Sequence, residues 1–445
     1  MVKLQYTNKI GVFEYIYFFM IVIYTAMGTP FTKAMMAFYN QPLGFAIPII
    51  MTLILIIRRK VNFSNRNLYI ILAIYFIWLI LQTIKYNQIY PTISFFVFYN
   101  IMIAYILIQV YQTKMFLLYE KIVVLLSVVA LVGWMFMTIA PNAFGSLIDI
   151  IKMPKSETGI IRGNILVFSM TNLKIYQAEQ VFGLTRNSGF SWEPGRYATM
   201  LLFALFFNLA RTKFKFWGNR NFWILILALL TTQSTNGFMA LAVIIVFLLF
   251  NKKLKYSIWY LILFVPLVIL IYSLPFIGDK LSKLSDMKST QEKVSSDLNS
   301  SNTTNTYVPQ RFDGLAFEYM NIIHDPILGY GNEENNSFIK SKVSEFLALA
   351  NGLLKVISRF GLILAALFYF SLYKSSRFLS EFYEIKGSAF FMILYMTLSV
   401  SYDLVTIPFF LAIILFSAFS LPEQKFMKNE QKIEKSVNPK QLIQA

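Results

Sequence analysis

The sequence contains no cysteine and one histidine, His324, and only 14% of its residues are charged. The lack of cysteine excludes disulfides, thiolate metal sites and cysteine nucleophiles. A single histidine excludes a multi-histidine metal centre, so neither a metal nor a cofactor is expected. A soluble domain carries about 25% charged residues, and the shortfall leaves too few to cover a water-exposed surface of ordinary size. Apolar residues fill the chain instead. They make up 57% of its 445 positions, and mean hydropathy is +0.58.

The charge that is present is unequal in sign, with 40 Lys and Arg against 22 Asp and Glu. A net charge of +18 would suit nucleic acid, but its placement argues against nucleic-acid binding. Basic residues cluster in short segments between apolar runs: Arg58, Arg59, Lys60 and Arg66; Arg211, Lys213, Lys215 and Arg220; Lys252, Lys253 and Lys255. Cytoplasmic loops of membrane proteins carry this positive-inside signature. A transmembrane helix needs about 20 apolar residues. Runs of that order lie near 11–29, 38–57, 68–84, 92–110, 122–140, 195–210, 221–235, 237–250, 256–275, 350–372, 387–404 and 406–421. The expected fold class is therefore all-α, a polytopic membrane protein with about 12 transmembrane helices. No small-residue cleavage site follows the first run, which is expected to be a retained helix and not a signal peptide.

With the N-terminus inside, the loops at 58–67, 111–121, 211–220, 251–255 and 373–386 and both tails fall in the cytoplasm. They hold more than half of the Lys and Arg, whereas the short outer loops near 30–37 and 85–91 hold Lys33 and Lys85 alone. The chain then divides into five helices over 1–140, a first outer loop at 141–194, and four helices over 195–275. A second outer loop at 276–349, three helices over 350–421 and a basic tail at 422–445 complete it. The second loop contains a Ser/Thr/Asn-rich tract, 282–307, which has too little apolar surface to fold alone and is expected to be a spacer. Beyond it, apolar residues at 312, 315, 316, 319, 320 and 323 follow a helical period, so 311–323 is expected to be an amphipathic helix over the membrane face.

Three constellations could carry chemistry, all on the outer side. The first is Arg186-Asn-Ser-Gly-Phe-Ser-Trp-Glu-Pro-Gly-Arg196, running into a helix. Pro194 and Gly195 suit a helix start, where free N–H groups favour an anion that Arg186 and Arg196 could flank. Glu193 and Arg196 could equally neutralise each other at a helix end. The second is Arg311-Phe-Asp-Gly-Leu-Ala-Phe-Glu318, then His324-Asp-Pro-Ile-Leu-Gly-Tyr-Gly331, where Pro326, Gly329 and Gly331 force a turn. His324 beside Asp325 is either a surface residue or a general base titrating near neutrality. The third is Lys355 with Arg359, four residues apart on one helix face. They either snorkel to the surface or face a cavity, with Asp403 as counter-charge. The polar run Thr231-Thr-Gln-Ser-Thr-Asn-Gly237 breaks two apolar helices on the same side, which needs a cavity or protein around it. Cations outnumber acids across this set, and no P-loop or dinucleotide fingerprint is present, so an anionic substrate without a nucleotide is expected.

Arg186–Ala198 resembles the first signature of the bacterial O-antigen polymerase and ligase superfamily, in which an arginine, a glycine and a Phe-x-Glu-Pro-Gly stretch precede a membrane helix. Gln233-Ser-Thr-Asn-Gly237 is similar to the break that follows. Arg311, Asp325-Pro-Ile-Leu-Gly-Tyr-Gly331, Leu349-Ala-Asn-Gly-Leu-Leu354 and Phe360-Gly-Leu362 resemble its second signature. The ordered set covers about 180 to 375. The resemblance implies a metal-independent, GT-C-like glycosyltransferase with two large outer loops, working at the outer face of the bacterial plasma membrane. Its substrate would be an undecaprenyl-diphosphate-linked oligosaccharide, and its product a surface polysaccharide such as O-antigen of lipopolysaccharide, capsule or exopolysaccharide. Arg186, or Arg196, and Arg311 would hold the diphosphate. Glu193 would orient the arginines or take a proton, with His324 the other candidate base. Asn236, Tyr330, Asn351, Lys355 and Arg359 would line the cavity. Ligases of the superfamily carry a histidine before the position of Asn351, where this chain has Ala350, which favours a repeat-unit polymerase over a ligase. Besides the bilayer and the lipid-linked substrate, a chain-length regulator and a flippase are the expected partners. The rival from another class is that the chain itself is a lipid-linked oligosaccharide flippase or transporter.

Overall fold

The computed structural model describes residues 10–26, 42–88, 91–140, 143, 162–165, 168–171, 185–191, 193–251, 311–331, 333–342 and 352–420. First come α1 (Val12–Ala26), α2 (Pro42–Arg59), α3 (Arg66–Tyr86), α4 (Pro91–Tyr111) and α5 (Lys114–Ile139). Two short strands follow, β1 (Arg162–Ile165) and β2 (Phe168–Thr171), then α6 (Pro194–Arg211), α7 (Arg220–Thr232) and α8 (Thr235–Asn251). The rest is α9 (Arg311–His324), a 3-10 turn (Glu334–Asn336), α10 (Phe338–Lys342), α11 (Gly352–Phe382), α12 (Phe390–Ser399), α13 (Pro408–Ile414) and α14 (Phe416–Phe419). The expected run 256–275, the tract 282–307 and the tail 422–445 lie outside the described residues.

Local chemistry explains where helices begin and end. Proline opens α4, α6 and α13, where its missing N–H costs no intrahelical bond. Asn219 caps α7 by accepting from the Phe222 N–H at 3.2 Å, and left-handed Gln233, φ 49°, ends it. Asn65 caps α3 by accepting from Asn67 N–H, and Asn87 ends it at φ 50°.

Helix α6 is the axis of the bundle, buried without interruption from Tyr197 to Ala210. It meets α13, buried along its whole length, through rings such as Phe203 and Phe410 at 4.8 Å. Tyr119 of α5 stacks on Phe409 at 4.3 Å. The outer helices turn apolar faces away from this core. Phe76, Ile77, Ile80 and Ile84 on α3, Val132, Met135 and Ile139 on α5, and Ile363, Leu367 and Phe370 on α11 are all exposed. A water-soluble helix does the reverse, whereas lipid requires it. Among the described residues three helices are long and apolar enough to cross a membrane, Arg66–Tyr86, Lys114–Ile139 and Gly352–Phe382. Shorter apolar helices stand beside them. The protein is a membrane protein.

Helix ends meet in two sets. In one, Arg59 donates to Glu14 at 2.9 Å, Arg211 holds fully buried Glu120 through two bonds of 2.6 and 2.9 Å, and Asn251 pairs with the backbone of Lys386. In the other, Trp134 donates to the Thr185 carbonyl, Asn187 binds Thr231, Lys85 binds Asp325, and Arg359 approaches Asp403.

Four details depart from expectation. The fold is not purely helical: β1 and β2 pair antiparallel within the stretch 141–194 expected to be a loop, with Arg162 opposite Thr171 and Ile165 opposite Phe168. The expected 111–121 loop is mostly helix, because Met115, Phe116 and Tyr119 are buried and Glu120 anchors Arg211. Only Gln112 and Thr113 separate α4 from α5. Helix α11 runs to Phe382 but is broken at Gly361, φ 79° and ψ 165°. Helix α9 forms where expected, yet Tyr319 and Ile323 of its apolar set face outward, while Phe317, Glu318 and Asn321 face inward. Hydrogen bonds decide that rotation: Glu318 accepts from the Ser358 hydroxyl of α11, and Asn321 accepts from the Ile339 N–H at 3.0 Å.

Candidate functional site

The segment leading into α6 is locked onto the break between α7 and α8. Asn187 donates its backbone N–H to the Thr231 carbonyl and its side-chain amide to the Thr231 hydroxyl, both at 2.9 Å. Its own amide oxygen accepts from Gly189 N–H at 2.8 Å. Gly189 has φ 53°, and the Tyr197 ring occupies the space that a Cβ would need. Arg186 donates from Nε to the Thr232 carbonyl at 3.3 Å. On the other side of the break, a Cβ at Gly237 would lie 2.8 Å from that of Ala198, so α8 starts flush against α6. The two polar stretches of the sequence thus form one structure.

Within it, Glu193 is the extended N-cap of α6 (φ −146°, ψ 154°) and its carbonyl accepts from Tyr197 N–H. Three residues on, the Arg196 guanidinium lies 5.8 Å from the centre of the Tyr402 ring, under the electrostatic influence of Tyr402, Glu193 and Asp403. Arg196 Nε is buried and makes no hydrogen bond among the described residues; the same holds for Asn236 Nδ2 and Ser191 Oγ. A buried donor without a partner costs about 1–3 kcal/mol. Such groups gathered at adjoining helix ends suit a ligand rich in acceptor oxygens.

The opposite wall comes from α11. Arg359, 8% exposed, points inward with Nη1 3.9 Å from Asp403 Oδ2, so it does not snorkel. Gly352 lies so close to the backbone of Tyr402 and Asp403 that no side chain would fit. Lys355 is half-buried one turn earlier on the same helix.

The turn 325–331 fixes the register of this wall. Tyr330 N–H donates to the Ser358 carbonyl at 2.9 Å, Gly331 N–H to Arg359 at 3.0 Å, and Leu362 N–H to Pro326 at 2.8 Å. Gly361 can face the Ile327 carbonyl only because it lacks a Cβ. Helix α3 clamps the turn from outside. Lys85 Nζ binds Asp325 at 2.5 Å and the Gly329 carbonyl at 3.0 Å, and Gln82 and Trp78 donate to the Leu328 carbonyl at 2.6 and 3.1 Å.

Arg186, Glu193, Arg196 and Asn236 therefore gather where the start of α6 meets the α7–α8 break, and Arg359 approaches Asp403, the neighbour of the Tyr402 whose ring lies under Arg196. Tyr330 is buried and serves the turn through its backbone. His324 is 55% exposed, and its contacts among the described residues are Asp325 at 3.3 Å and the stacked Phe338 ring at 4.6 Å. Arg311 is the first residue of α9, with its side chain outside the description, and Asn351 and Ala350 lie outside the described residues. Sequence reasoning passed over Tyr402, Ser191, Lys85 and Gln82. Gln82, a polar residue inside an apolar span, carries the signal that would have found it.

These features define a polytopic membrane protein with a buried cationic and amide-lined site where its helix ends converge. Residues 221–369 match the family model described as O-antigen ligase, supporting the O-antigen polymerase and ligase superfamily. The matched stretch takes in the α7–α8 break, α9, the 325–331 turn and the upper half of α11. No curated protein matches the chain.

Proposed function

We propose that this protein is a repeat-unit polymerase for a surface polysaccharide, acting at the outer face of the bacterial plasma membrane with both termini in the cytoplasm. The observation that carries the reading is the Arg196 guanidinium over the Tyr402 ring, its buried Nε without a hydrogen-bond partner among the described residues, as are Asn236 Nδ2 and Ser191 Oγ near the neighbouring helix starts. A diphosphate presents the acceptor oxygens and negative charge that such donors match. The match to the O-antigen ligase family supports the same substrate class.

In the proposed reaction a hydroxyl on the incoming lipid-linked unit attacks the anomeric carbon of the growing glycan. The bond from that carbon to the diphosphate oxygen breaks, and undecaprenyl diphosphate leaves with both electrons. Arg186, Arg196 and Arg311 hold the leaving group and stabilise its growing charge; positioning and preorganised electrostatics supply much of the rate in such sites. The hydroxyl proton passes to Glu193 or His324. Glu193 is better placed, at the N-cap next to Arg196, and its role is first to hold the guanidinium. Arg359 and Lys355 add positive potential from α11, balanced by Asp403. Polymerase is preferred to ligase because Ala350 stands where ligases carry histidine.

Deleting the gene and resolving the surface polysaccharide on a gel tests the reading. Loss of long chains, with single lipid-linked units accumulating at the outer face, is expected. Units trapped at the inner face would make the protein a flippase, and intact long chains would end the polymerase reading.

A further inference from the structure

The most exposed large apolar side chain among the described residues is Trp217, at 88%, in the loop between α6 and α7. It has an aromatic neighbour: Trp223, 49% exposed at the start of α7, lies 6.3 Å away between ring centres and packs edge-on against Phe222 at 5.1 Å. Two adjacent indoles are poorly served by water, whereas the headgroup region of a bilayer is where such rings collect. The loop belongs to the helix ends that hold the Glu120–Arg211 pair, a full length of α6, about 27 Å, from its N-terminal end and the arginine site.

The loop is braced, so the exposure of Trp217 is built in. Asn219 Nδ2 donates to Asn208 Oδ1 at 2.7 Å and to the Lys215 carbonyl at 3.0 Å. Phe214 is buried against the Phe247 ring at 5.3 Å, and Lys213 Nζ binds the Tyr383 carbonyl, and Glu384 at 3.1 Å. Lys213 and Phe214 are both left-handed, with φ 51° and 59°, a conformation that residues other than glycine seldom adopt in succession. Charge completes the patch. Arg211 and Lys213 are taken by Glu120 and Glu384, but Lys215 and Arg220 are exposed and have no ion pair among the described residues. Arg220 also opens α7, where the helix dipole disfavours a cation, so helix stability does not account for it.

We infer that the α6–α7 loop is a binding site for an acidic phospholipid: Lys215 and Arg220 hold the headgroup phosphate, and Trp217 and Trp223 pack against the glycerol and upper acyl chain. Charge complementarity carries the choice of lipid, since cations beside exposed indoles match an anionic membrane surface. The inference uses the membrane setting of the helices and not the polymerase reading. It has a consequence for the site. Helix α7 has 13 residues, about 20 Å, against a hydrocarbon core of roughly 30 Å. One end of α7 is this loop and the other is the break at 231–237, so a lipid held here sets the depth of the break in the bilayer.

The test is tryptophan fluorescence of the full chain in phosphatidylcholine nanodiscs doped with equal small fractions of brominated phosphatidylglycerol or brominated phosphatidylcholine. The quenching that disappears in the Trp217→Phe, Trp223→Phe double variant is the signal of the pair. Brominated phosphatidylglycerol should quench that signal at a lower fraction than brominated phosphatidylcholine. Lys215→Gln and Arg220→Gln, whose side chains make no hydrogen bond or ion pair among the described residues, should keep the wild-type melting temperature. Each should raise the fraction of phosphatidylglycerol needed for half-quenching about fivefold. Equal quenching by the two lipids would reduce the patch to an unselective interfacial belt and overturn the assignment. Quenching by neither lipid, which places the indoles in water or under another protein, also overturns it, as does a full preference for phosphatidylglycerol in both glutamine variants.

Discussion

Alanine at position 361 would test whether the turn 325–331 holds the broken helix in place. Gly361 sits at φ 79° with the Ile327 carbonyl oxygen where a Cβ would go. With ψ at 165° this is the positive-φ extended region that only glycine enters readily, and an alanine there costs about 1–3 kcal/mol by itself. The clash adds a second cost, because the turn must move away and lose the bonds from Tyr330, Gly331 and Leu362 N–H groups. Each is worth about 0.5–1.5 kcal/mol, so Gly361→Ala should destabilise by about 3–7 kcal/mol in all. Gly218 provides the control: its φ is 77°, but nothing lies within 4 Å of a Cβ there. Gly218→Ala should show only the first cost. Thermal unfolding in nanodiscs compares the two, and hydrogen exchange at the amides of Tyr330, Gly331 and Leu362 reports the turn directly. Equal melting temperatures for the two variants, with unchanged exchange at those amides, would refute the reasoning.

Arg196→Ala, Arg186→Ala and Arg311→Ala should each lower polymer formation at least about tenfold while the protein still inserts, since a charge-assisted bond to phosphate is worth about 1.5–3 kcal/mol. Lysine should rescue poorly because it lacks the planar fork, as chain-length gels from complemented deletion strains would show; wild-type polymer from all three alanine variants would sink the diphosphate site. Glu120→Ala should reduce stability by roughly 1–3 kcal/mol, since it removes the bonds to Arg211, Asn208 and Asn221; a melting temperature equal to wild type would contradict this. Glu318→Ala should free α9 from α11 and speed amide exchange at Ile339, whereas Glu318→Gln should preserve most protection because it keeps an acceptor for Ser358.

Much of the fold could be read from the chain because lipid imposes a coarse rule. Apolar runs near 68–84 and 92–110 became α3 and α4 almost residue for residue. Pro194 marked a helix start by local chemistry that needs no tertiary partner. Charge near 111–121 misled, since Glu120 is buried in a pair with Arg211 and the helix runs through. The rotation of α9 was also hidden, because its apolar period points to one face while two hydrogen bonds from distant residues, Ser358 and Ile339, select the other. At the site, the joining of 186–196 to 231–237 was foreshadowed only as polarity on a common side. The contacts that make it, Asn187 to Thr231 and Ala198 to Gly237, span some forty residues and leave no periodic trace. Asp403 was legible as a counter-charge to Arg359, and Tyr402 beneath Arg196 was not.

The break at Gly361 divides α11 into two rods with separate duties. The rod 362–382 carries the exposed apolar residues Ile363, Leu367 and Phe370, and the rod before the break carries Lys355 and Arg359. The turn bonds both, through the carbonyls of Ser358 and Arg359 on one side of Gly361 and the Leu362 N–H on the other. One six-residue strap thus spans the break that would otherwise be the weakest point of the longest helix. The charged rod and the apolar rod are held to each other by a third piece of chain, and not by the helical ladder between them.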